Sequence, residues 1–414
     1  MELTNFYAQI LGIKLPWQIS DAKIDSSDKS VHITVSHGSG SKFPCKHCQN
    51  LCPVHDHGKL RTWRHLDTCD HYTYLHASVP RIKCLEHGVC TIEPSWSRAN
   101  SRFTLQFESF IIDTLQSTQV RSRSALQLRV SVEQLKRIQK QAVERGLSAR
   151  KNGKSNSFYI VRHVCIDEKS LFTGHHYVSI LYNGQTGSVL EVVEHRTQDA
   201  AQEAFTKLGE YVDLQSVQVV TMDMWRAFFN AAKICVPQAD IVHDRFHLAQ
   251  YLNNAVDITR RAENKKLRTQ NDDRLKGTKY IWLKNPNNLT DKQQQMYDRL
   301  IDDQELKTVK AWTIKENFKK FFDTKDEQEA TNFFNNWVKS VEAIDNKSLL
   351  KVVKTFKNHL QGLIDYTKHR VTNAMAESVN TAIQQVKSKA RGFKSAQAFR
   401  IAILFHLGAL DLYP

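Results

Sequence analysis

Two aspartates in the sequence could hold metal ions for chemistry on phosphate esters. Asp167 follows the largely apolar run Val161–Ile166 and Asp223 follows Val217–Met222, so we expect each at the carboxyl end of a strand. Open α/β sheets bind ligands at that edge. Metal-assisted phosphoryl transfer needs hard oxygen ligands from separate elements, because two cations must be held about 4 Å apart. Either aspartate alone would usually be a strand-end turn or a helix cap.

Glu377 is the best-placed third carboxylate. It lies in the segment TNAMAESVNTAIQQVKSKARGF (372–393), where Val379, Ile383 and Val386 predict the buried stripe of a helix and Glu377 falls on the opposite, polar face. It also lies in the first turn, where the helix dipole favours an anion, and serving that dipole is the alternative role. Cations that could hold phosphate near the acids follow downstream: Lys387, Lys389, Arg391 and Lys394.

A second chemical cluster lies nearer the amino terminus, where five of the eight cysteines occur among histidines. Cys45-Lys-His-Cys48 and Cys84-Leu-Glu-His87 each space two ligands so that both can point at one ion, and four such ligands suit tetrahedral zinc. This pattern indicates a metal site in a reducing cytosol. Reduced cysteines without metal are the alternative. The rivals of His87 for the fourth position are Cys52, His55, His57 and Cys90.

The elements that position the acids follow from periodicity. Between Phe158 and about Leu252, strands and helices alternate. Three strands would run antiparallel through short glycine-containing turns, and a crossover helix through Ala200–Leu208 would return the chain to the strand before Asp223, giving a mixed sheet. From Thr278 to Gln361 there is no glycine and one proline, and aromatic residues recur at helical intervals, which predicts a helical insertion.

The first 100 residues carry the cysteines and short β-like runs, Val31–Val35 and Tyr72–Val79, which predict a small metal-stapled module. Helical periodicity then extends from Phe103 to Gly146. The face of its first helix is predicted to be formed by Phe107, Phe110, Ile111 and Leu115. A polar, basic segment at 149–157 marks a domain boundary.

Two further helices are predicted after the first. Ser124–Leu128 forms a short one, and Ser131–Gln134 offers a capping box that opens a longer one, with Gly146 at its end. The apolar stripe of the longer helix consists of Val132, Leu135, Ile138 and Ala142, and its exposed cations are Lys136, Arg137 and Lys140. The pattern resembles a helix-turn-helix whose last helix enters the major groove of DNA. A solvated face of a helical bundle is an equal alternative on this segment alone.

Composition supports a polyanionic partner. The chain has 414 residues, is 41% hydrophobic and carries a net charge of +15, which leaves nucleic acid or an unspecialised basic enzyme as the main readings. The amino terminus lacks the features of a signal peptide, and no apolar stretch approaches about 18 residues. We therefore expect a cytoplasmic protein with no membrane partner.

Several motifs in order resemble the ISL-three family of insertion-sequence transposases, which are DDE enzymes with an RNase H-like fold. The likeness runs from about Pro44 to about Leu404. The specific pieces are TWRHLD (62–67), VPRIKCLEHGV (79–89), SRFT (101–104), VCIDEKS around Asp167, VTMDMWRAF around Asp223, HDRFH (243–247), NAMAESVN (373–380) and RGF (391–393).

The resemblance implies roles for these residues. Asp167, Asp223 and Glu377 would be the DDE acids holding two Mg²⁺ or Mn²⁺ ions, and Cys45, Cys48, Cys84 and His87 would hold a structural Zn²⁺. His243 and Asp244 would support the site, although a carboxylate there rivals Glu377. DNA contacts are expected from Lys136, Arg137, Lys140, Lys387, Lys389 and Arg391.

The expected architecture is multidomain α/β. A zinc-finger module (1–100) and a helix-turn-helix domain (101–150) precede an RNase H-like catalytic core (151–250 and 365–414), which an all-helical insertion (251–364) interrupts. The resemblance implies a bacterial, nucleoid-associated enzyme that cuts and joins double-stranded DNA at terminal inverted repeats and in target DNA, as a homodimer or larger synaptic complex. The alternatives are a catalytically inactive DNA-binding regulator and an RNase H-like nuclease acting on RNA or branched DNA.

Overall fold

The computed structural model describes residues 3–152, 160–172, 176–371, 374–390 and 392–414. The chain divides into two compact units. The first contains residues 1–148 together with 410–414, and the second contains residues 149–409. The finer division into four domains stays a prediction.

The first unit begins with a twisted sheet of mixed strand direction. Its strands lie in the order β1-β2-β5-β4-β3, with β6 paired to β5. Of the two predicted β-like runs, Val31–Val35 lies in β2 and Tyr72–Val79 in β5. The long hairpin of β4 and β5 returns the chain to Cys84. Trp63 and Leu75 are fully buried in its core. The elements are α1 (Leu3–Ile10), β1 (Trp17–Asp25), β2 (Ser30–His37), β3 (Lys42–Pro44), β4 (Leu51–Thr68), β5 (His71–Cys84) and β6 (Gly88–Thr91).

Three helices complete the first unit: α2 (Leu105–Thr118), α3 (Arg121–Leu128) and α4 (Val132–Lys151). The predicted capping box is present, because the side chains of Ser131 and Gln134 each accept a bond from the other residue's backbone N–H. Two expectations are wrong. Phe110 is 44% exposed, since Ile112 takes its place on the buried face of α2.

Gly146 does not end α4, which continues to Lys151. The glycine is buried inside the helix because the carboxyl-terminal segment packs on it, and a Cβ at Gly146 would lie 2.7 Å from the Cβ of Leu410. Arg145 donates a hydrogen bond to the carbonyl of Leu412, and Tyr413 donates one to Asp113. The tail therefore completes the core of the first unit.

The second unit contains the mixed sheet that the alternating pattern predicted. Its order is β11-β10-β7-β8-β9. β8 pairs antiparallel with both β7 and β9, whereas β10 pairs parallel with both β7 and β11. The strands are β7 (His163–Phe172), β8 (His176–Asn183), β9 (Val189–Glu194), β10 (Val219–Met222) and β11 (Asp240–His243).

Helices of the second unit pack around this sheet and, between β11 and α14, around a core of their own. Trp282, Phe318 and Phe321 are among the fully buried side chains of that helical core. No helix in the described ranges is both long and apolar enough to cross a bilayer. The helices are α5 (Gln198–Leu208), α6 (Arg226–Cys235), α7 (Arg245–Arg268), α8 (Lys279–Leu283), α9 (Asp291–Leu300), α10 (Lys307–Phe318), α11 (Glu327–Ala343), α12 (Lys347–Asn358), α13 (Leu360–His369), α14 (Ala374–Lys389) and α15 (Ala396–Leu407).

Candidate functional site

The two aspartates predicted from the sequence lie level on neighbouring parallel strands. Asp223 directly follows β10, as predicted, whereas Asp167 lies inside β7 rather than at its end, paired with Ile180 of β8. β10 and β7 are in register at Thr221 and Cys165, so two residues further along Asp223 comes level with Asp167. Side chains at level positions of adjacent strands point to the same face, which brings the two carboxylates together.

A third aspartate lies at the same level. Met222 is in register with His243, so Asp244 follows β11 as Asp223 follows β10, and the Asp244 N–H donates to the Met222 carbonyl at 2.8 Å. The Asp244 carboxylate caps α7 by accepting from the Phe246 N–H at 2.7 Å. His247, one turn on, approaches Asp244 at 3.9 Å.

Negative charge accumulates at this edge. Burial, with a smaller contribution from the carboxylates of Glu168 and Asp167, raises the pKa of Asp223 to about 6 against the opposing effects of the Trp225 N–H and the His247 imidazole. A carboxyl group that resists ionisation beside two other acids gains from a bound cation. The donor set therefore fits hard divalent ions, whose preferred ligands are carboxylate oxygens.

Helix α14 places its polar face against Asp167. The Asn380 amide donates a 2.6 Å hydrogen bond to the Asp167 carboxylate. Glu377 lies one turn earlier in the first turn of α14, is exposed, and shares the Asn380 face of the helix. The opposite stripe of Val379, Ile383 and Val386 is buried, as predicted.

A glycine lets α14 approach the sheet closely. Gly187, in the turn between β8 and β9, has a φ of +73°, and a Cβ there would lie 2.5 Å from the sulfur of Met375. Any other residue would be strained by the positive φ and would displace the Met375 side chain, which lies in the same turn of α14 as Glu377.

His243 is buried beneath the edge rather than exposed on it. Burial lowers its pKa to about 4, with a further contribution from His359, so its ring is neutral at pH 7. Its ring stacks edge-on against His359 at 4.9 Å, and a Cβ at Gly362 would lie 2.5 Å from it. His243 therefore packs α13 against β11.

Sequence reasoning missed a guanidinium held beside the acids. Arg196 forms an ion pair with Glu168 at 2.7 Å, and its guanidinium lies over the rings of Tyr177 at 4.2 Å and Trp225 at 5.0 Å. The Trp225 indole N–H donates to the Arg196 carbonyl at 3.0 Å. Two residues in the sequence could have indicated a bound arginine here: Glu168, directly after Asp167, and Trp225, two positions after Asp223.

The predicted cysteine and histidine ligands form a four-atom cage in the first unit. The ligand atoms of Cys45, Cys48, Cys84 and His87 all lie within 4.8 Å of one another. The sulfurs of Cys48 and Cys84 are 3.6 Å apart, close to the separation of about 3.8 Å that tetrahedral zinc with 2.3 Å bonds would set. The hydrogen bond with His87 lowers the pKa of Cys84 to about 6, which favours the thiolate.

The rival ligands have other partners. The Cys90 thiol donates to the His87 carbonyl at 3.4 Å, and the Cys52 thiol to the Asn50 carbonyl at 3.3 Å. His55 contacts Asp56 at 3.1 Å, and His57 contacts His37 at 2.8 Å.

The predicted DNA-binding cations are dispersed. Lys136 pairs with Glu133 at 2.5 Å and Lys140 with Glu144 at 3.7 Å, while Arg137 lies exposed on α4. Lys387 donates to the Ser170 carbonyl at 2.7 Å, near the acids on β7. Lys389 is in the last turn of α14, and Arg391 lies outside the described residues.

Comparison with known proteins covers both units. Residues 164–403 match the profile of the ISL3-type DDE transposases, and residues 41–90 match the zinc-finger of transposase IS204/IS1001/IS1096/IS1165. The transposase for insertion sequence element IS1001 of Bordetella parapertussis is 23% identical, with 87% of both chains covered. The transposase for IS1557 of Mycobacterium tuberculosis is 23% identical, with 96% of this chain and 94% of the relative covered.

Proposed function

The chain belongs to the ISL3 family of transposases, and we propose that it cuts and rejoins DNA at the terminal inverted repeats of an insertion sequence with Asp167, Asp223 and Glu377 as its catalytic acids. The observation that carries this proposal is the register that sets Asp167 and Asp223 level on adjacent strands. The hydrogen bond from Asn380 to Asp167 is a second support, because it holds α14, the helix that contains Glu377, against the strand of Asp167.

The proposed cofactor is a pair of Mg²⁺ or Mn²⁺ ions. Asp167, Asp223 and Glu377 would hold these ions through their carboxylate oxygens. When bound, such ions polarise the scissile phosphate and make water or a 3′-hydroxyl a stronger nucleophile. The chain's own contribution is orientation: Asn380 fixes one oxygen of Asp167, and the Trp225 N–H fixes one oxygen of Asp223 at 3.0 Å.

Family membership supports a finer division of the architecture. The mixed sheet of the second unit would be an RNase H-like core, and the helices between β11 and α14 would be the insertion that separates Asp223 from Glu377 in sequence. In the first unit, α3 and α4 would form the helix-turn-helix and the Cys45 cage would hold structural zinc. Both would recognise the inverted repeats, and pairing of two ends would require a dimer or larger complex on the nucleoid.

Metal-dependent cleavage and strand transfer on DNA that carries the element's ends is the decisive assay. Wild type should cleave only with Mg²⁺ or Mn²⁺, and D167N, D223N and E377Q should each lose activity by at least about 10³-fold. Gln385→Ala changes an exposed residue of the same helix, turned away from the face of Glu377 and Asn380, and is the matched control for E377Q.

The same set of variants should include D244N, because Asp244 lies at the same level of the sheet as Asp223 and is the alternative to Glu377 as the third catalytic acid. If E377Q retained activity while D244N lost it, the third acid would be Asp244. DNA binding without cleavage by the wild type would instead favour the regulator.

A further inference from the structure

A cavity of about 160 Å³ lies in the helical part of the second unit, among α7, α10 and the segment after α8. Four cationic side chains line it and one carboxylate faces them. The charged lining consists of Arg245, Lys284, Lys315, Lys319 and Glu316. A water molecule occupies about 30 Å³ in the liquid, so the cavity has room for a phosphate group and its ester oxygens.

The charge in this cavity is not balanced by the residues that line it. Glu316 contacts Lys315 at 3.0 Å and Lys319 at 2.5 Å, so one carboxylate serves two ammonium groups. Among the residues that the structure describes, Lys284 contacts the amide oxygen of Gln293 at 3.3 Å and no carboxylate. Within the described part of the chain, Arg245 has no carboxylate partner, and its guanidinium lies 4.5 Å from the centre of the Phe322 ring.

Lys315 is a buried lysine whose charged form is destabilised by its surroundings. Its side chain is 7% exposed, its ammonium donates to the Trp282 carbonyl at 2.7 Å, and burial lowers its pKa. Buried charges are retained where they are paired, and an anion in the cavity would complete the pairing. Apolar walls from Leu252, Phe318 and Phe322 lower the local dielectric constant and would strengthen that attraction.

The cavity begins beside the carboxylate edge. Arg245 is the first residue of α7 and directly follows Asp244, which is level with Asp223. A DNA strand whose scissile phosphate lies at the acids carries further phosphates to either side. We propose that this cavity binds a phosphate group, supplied by the DNA backbone of a strand engaged at the acids; this source rests on the proposed function, whereas a free phosphate or nucleotide would use the same chemistry.

Inorganic phosphate tests the site without DNA. Phosphate at matched ionic strength should stabilise the full-length protein against thermal unfolding relative to chloride, and titration should give a dissociation constant that R245Q and K319Q each weaken by about tenfold or more. Lys320→Gln changes the exposed neighbouring lysine, which does not line the cavity, and should bind as wild type does. Equal phosphate binding by K319Q, R245Q and K320Q would overturn the proposal.

The second measurement identifies the source. Binding of a 30-base-pair duplex is measured against salt concentration, and loss of one phosphate contact lowers the log–log slope by about one. A lower slope for K319Q than for K320Q assigns the phosphate to DNA. Weaker phosphate binding with an unchanged slope assigns it to a free phosphate or nucleotide. Neither result depends on cleavage, so absence of cleavage by the wild type would count against the transposase mechanism and leave the cavity result standing.

Discussion

Asn380 and Asp167 lie 213 positions apart in the sequence, yet the Asn380 amide donates directly to the Asp167 carboxylate at 2.6 Å. This bond ties α14 to the central strand of the sheet, where Asp223 is the neighbouring acid. The other Asp167 oxygen accepts the backbone N–H of Glu168 at 2.7 Å. The two bonds together limit rotation of the carboxylate, and each oxygen keeps a second lone pair that a cation could use.

Asn380→Ala should lower the rate of metal-dependent DNA cleavage by about 10- to 100-fold, because groups that orient metal ligands carry effects of this size. Raising the Mg²⁺ or Mn²⁺ concentration should recover part of the loss, which a purely structural defect would not allow. Cleavage rates across a metal titration, with Gln385→Ala as control, provide the measurement. A rate equal to wild type at all metal concentrations would remove Asn380 from the site.

Asp223→Asn should stabilise the metal-free protein at pH 7 while abolishing cleavage. The folded pKa is about 6 against an ordinary value of 3.8, so between about pH 4 and 6 the folded state keeps a proton that the unfolded state has lost. The wild-type free energy of unfolding therefore falls as pH rises through this window, by ~1–3 kcal/mol, and stays lower above it.

Urea unfolding in magnesium-free buffer at several pH values measures this gain. D223N should have a larger free energy of unfolding than wild type at pH 7. The difference should vanish at about pH 4, where residue 223 is uncharged in the folded state of both proteins. Asp302→Asn, at an exposed position of the helical region, should show no comparable change. A pH-independent difference for D223N would contradict an ionisation cause.

Cys45→Ala should release zinc and destabilise the first unit, because each remaining ligand would lose its place in a closed tetrahedral site. Cys90→Ala should retain one zinc per chain, since the Cys90 thiol contacts only the His87 carbonyl among the interactions of the cage. Metal analysis of the purified variants decides between them, with exposed Cys69→Ala as a further control. If C90A lost zinc and His87→Ala retained it, Cys90 rather than His87 would be the fourth zinc ligand.

Gly146→Val should destabilise the first unit by about 1–3 kcal/mol through overpacking against Leu410. Gly38→Ala is the comparison, because its added Cβ would meet only the Ser41 hydroxyl, at 3.8 Å. Denaturant unfolding measures the difference. If deleting residues 410–414 relieved the cost of G146V, the clash would be located at the tail.

Local pattern predicted the elements best where one face of a strand or helix is buried. Asp223 was placed correctly because the apolar run before it ends where β10 ends. Asp167 was placed at a strand end because the charged residues after it interrupt the apolar run. β7 nevertheless continues to Phe172, since its backbone pairs with β8 whatever the side chains are.

Contacts between distant segments were beyond sequence pattern. Glycine is typical of a helix end, which is why the sequence predicted one at Gly146. The residue instead provides space within α4 for Leu410, which is distant in the sequence. The Arg196 contacts with Glu168 and Trp225 join three separate elements, and no periodicity within one element encodes them. The motif resemblance compensated where it covered such segments, as for Glu377, which periodicity alone placed only on a polar helix face.

The tail that closes the first unit also sets the order of events at the ribosome. Leu412, whose carbonyl accepts from Arg145, is synthesised 267 residues after it. At about 5–20 residues per second, the amino-terminal unit waits roughly 13 to 50 s for its last piece. The strands of the second unit are therefore synthesised before the segment that packs along α4, and the amino-terminal core can close only after the second unit has been made.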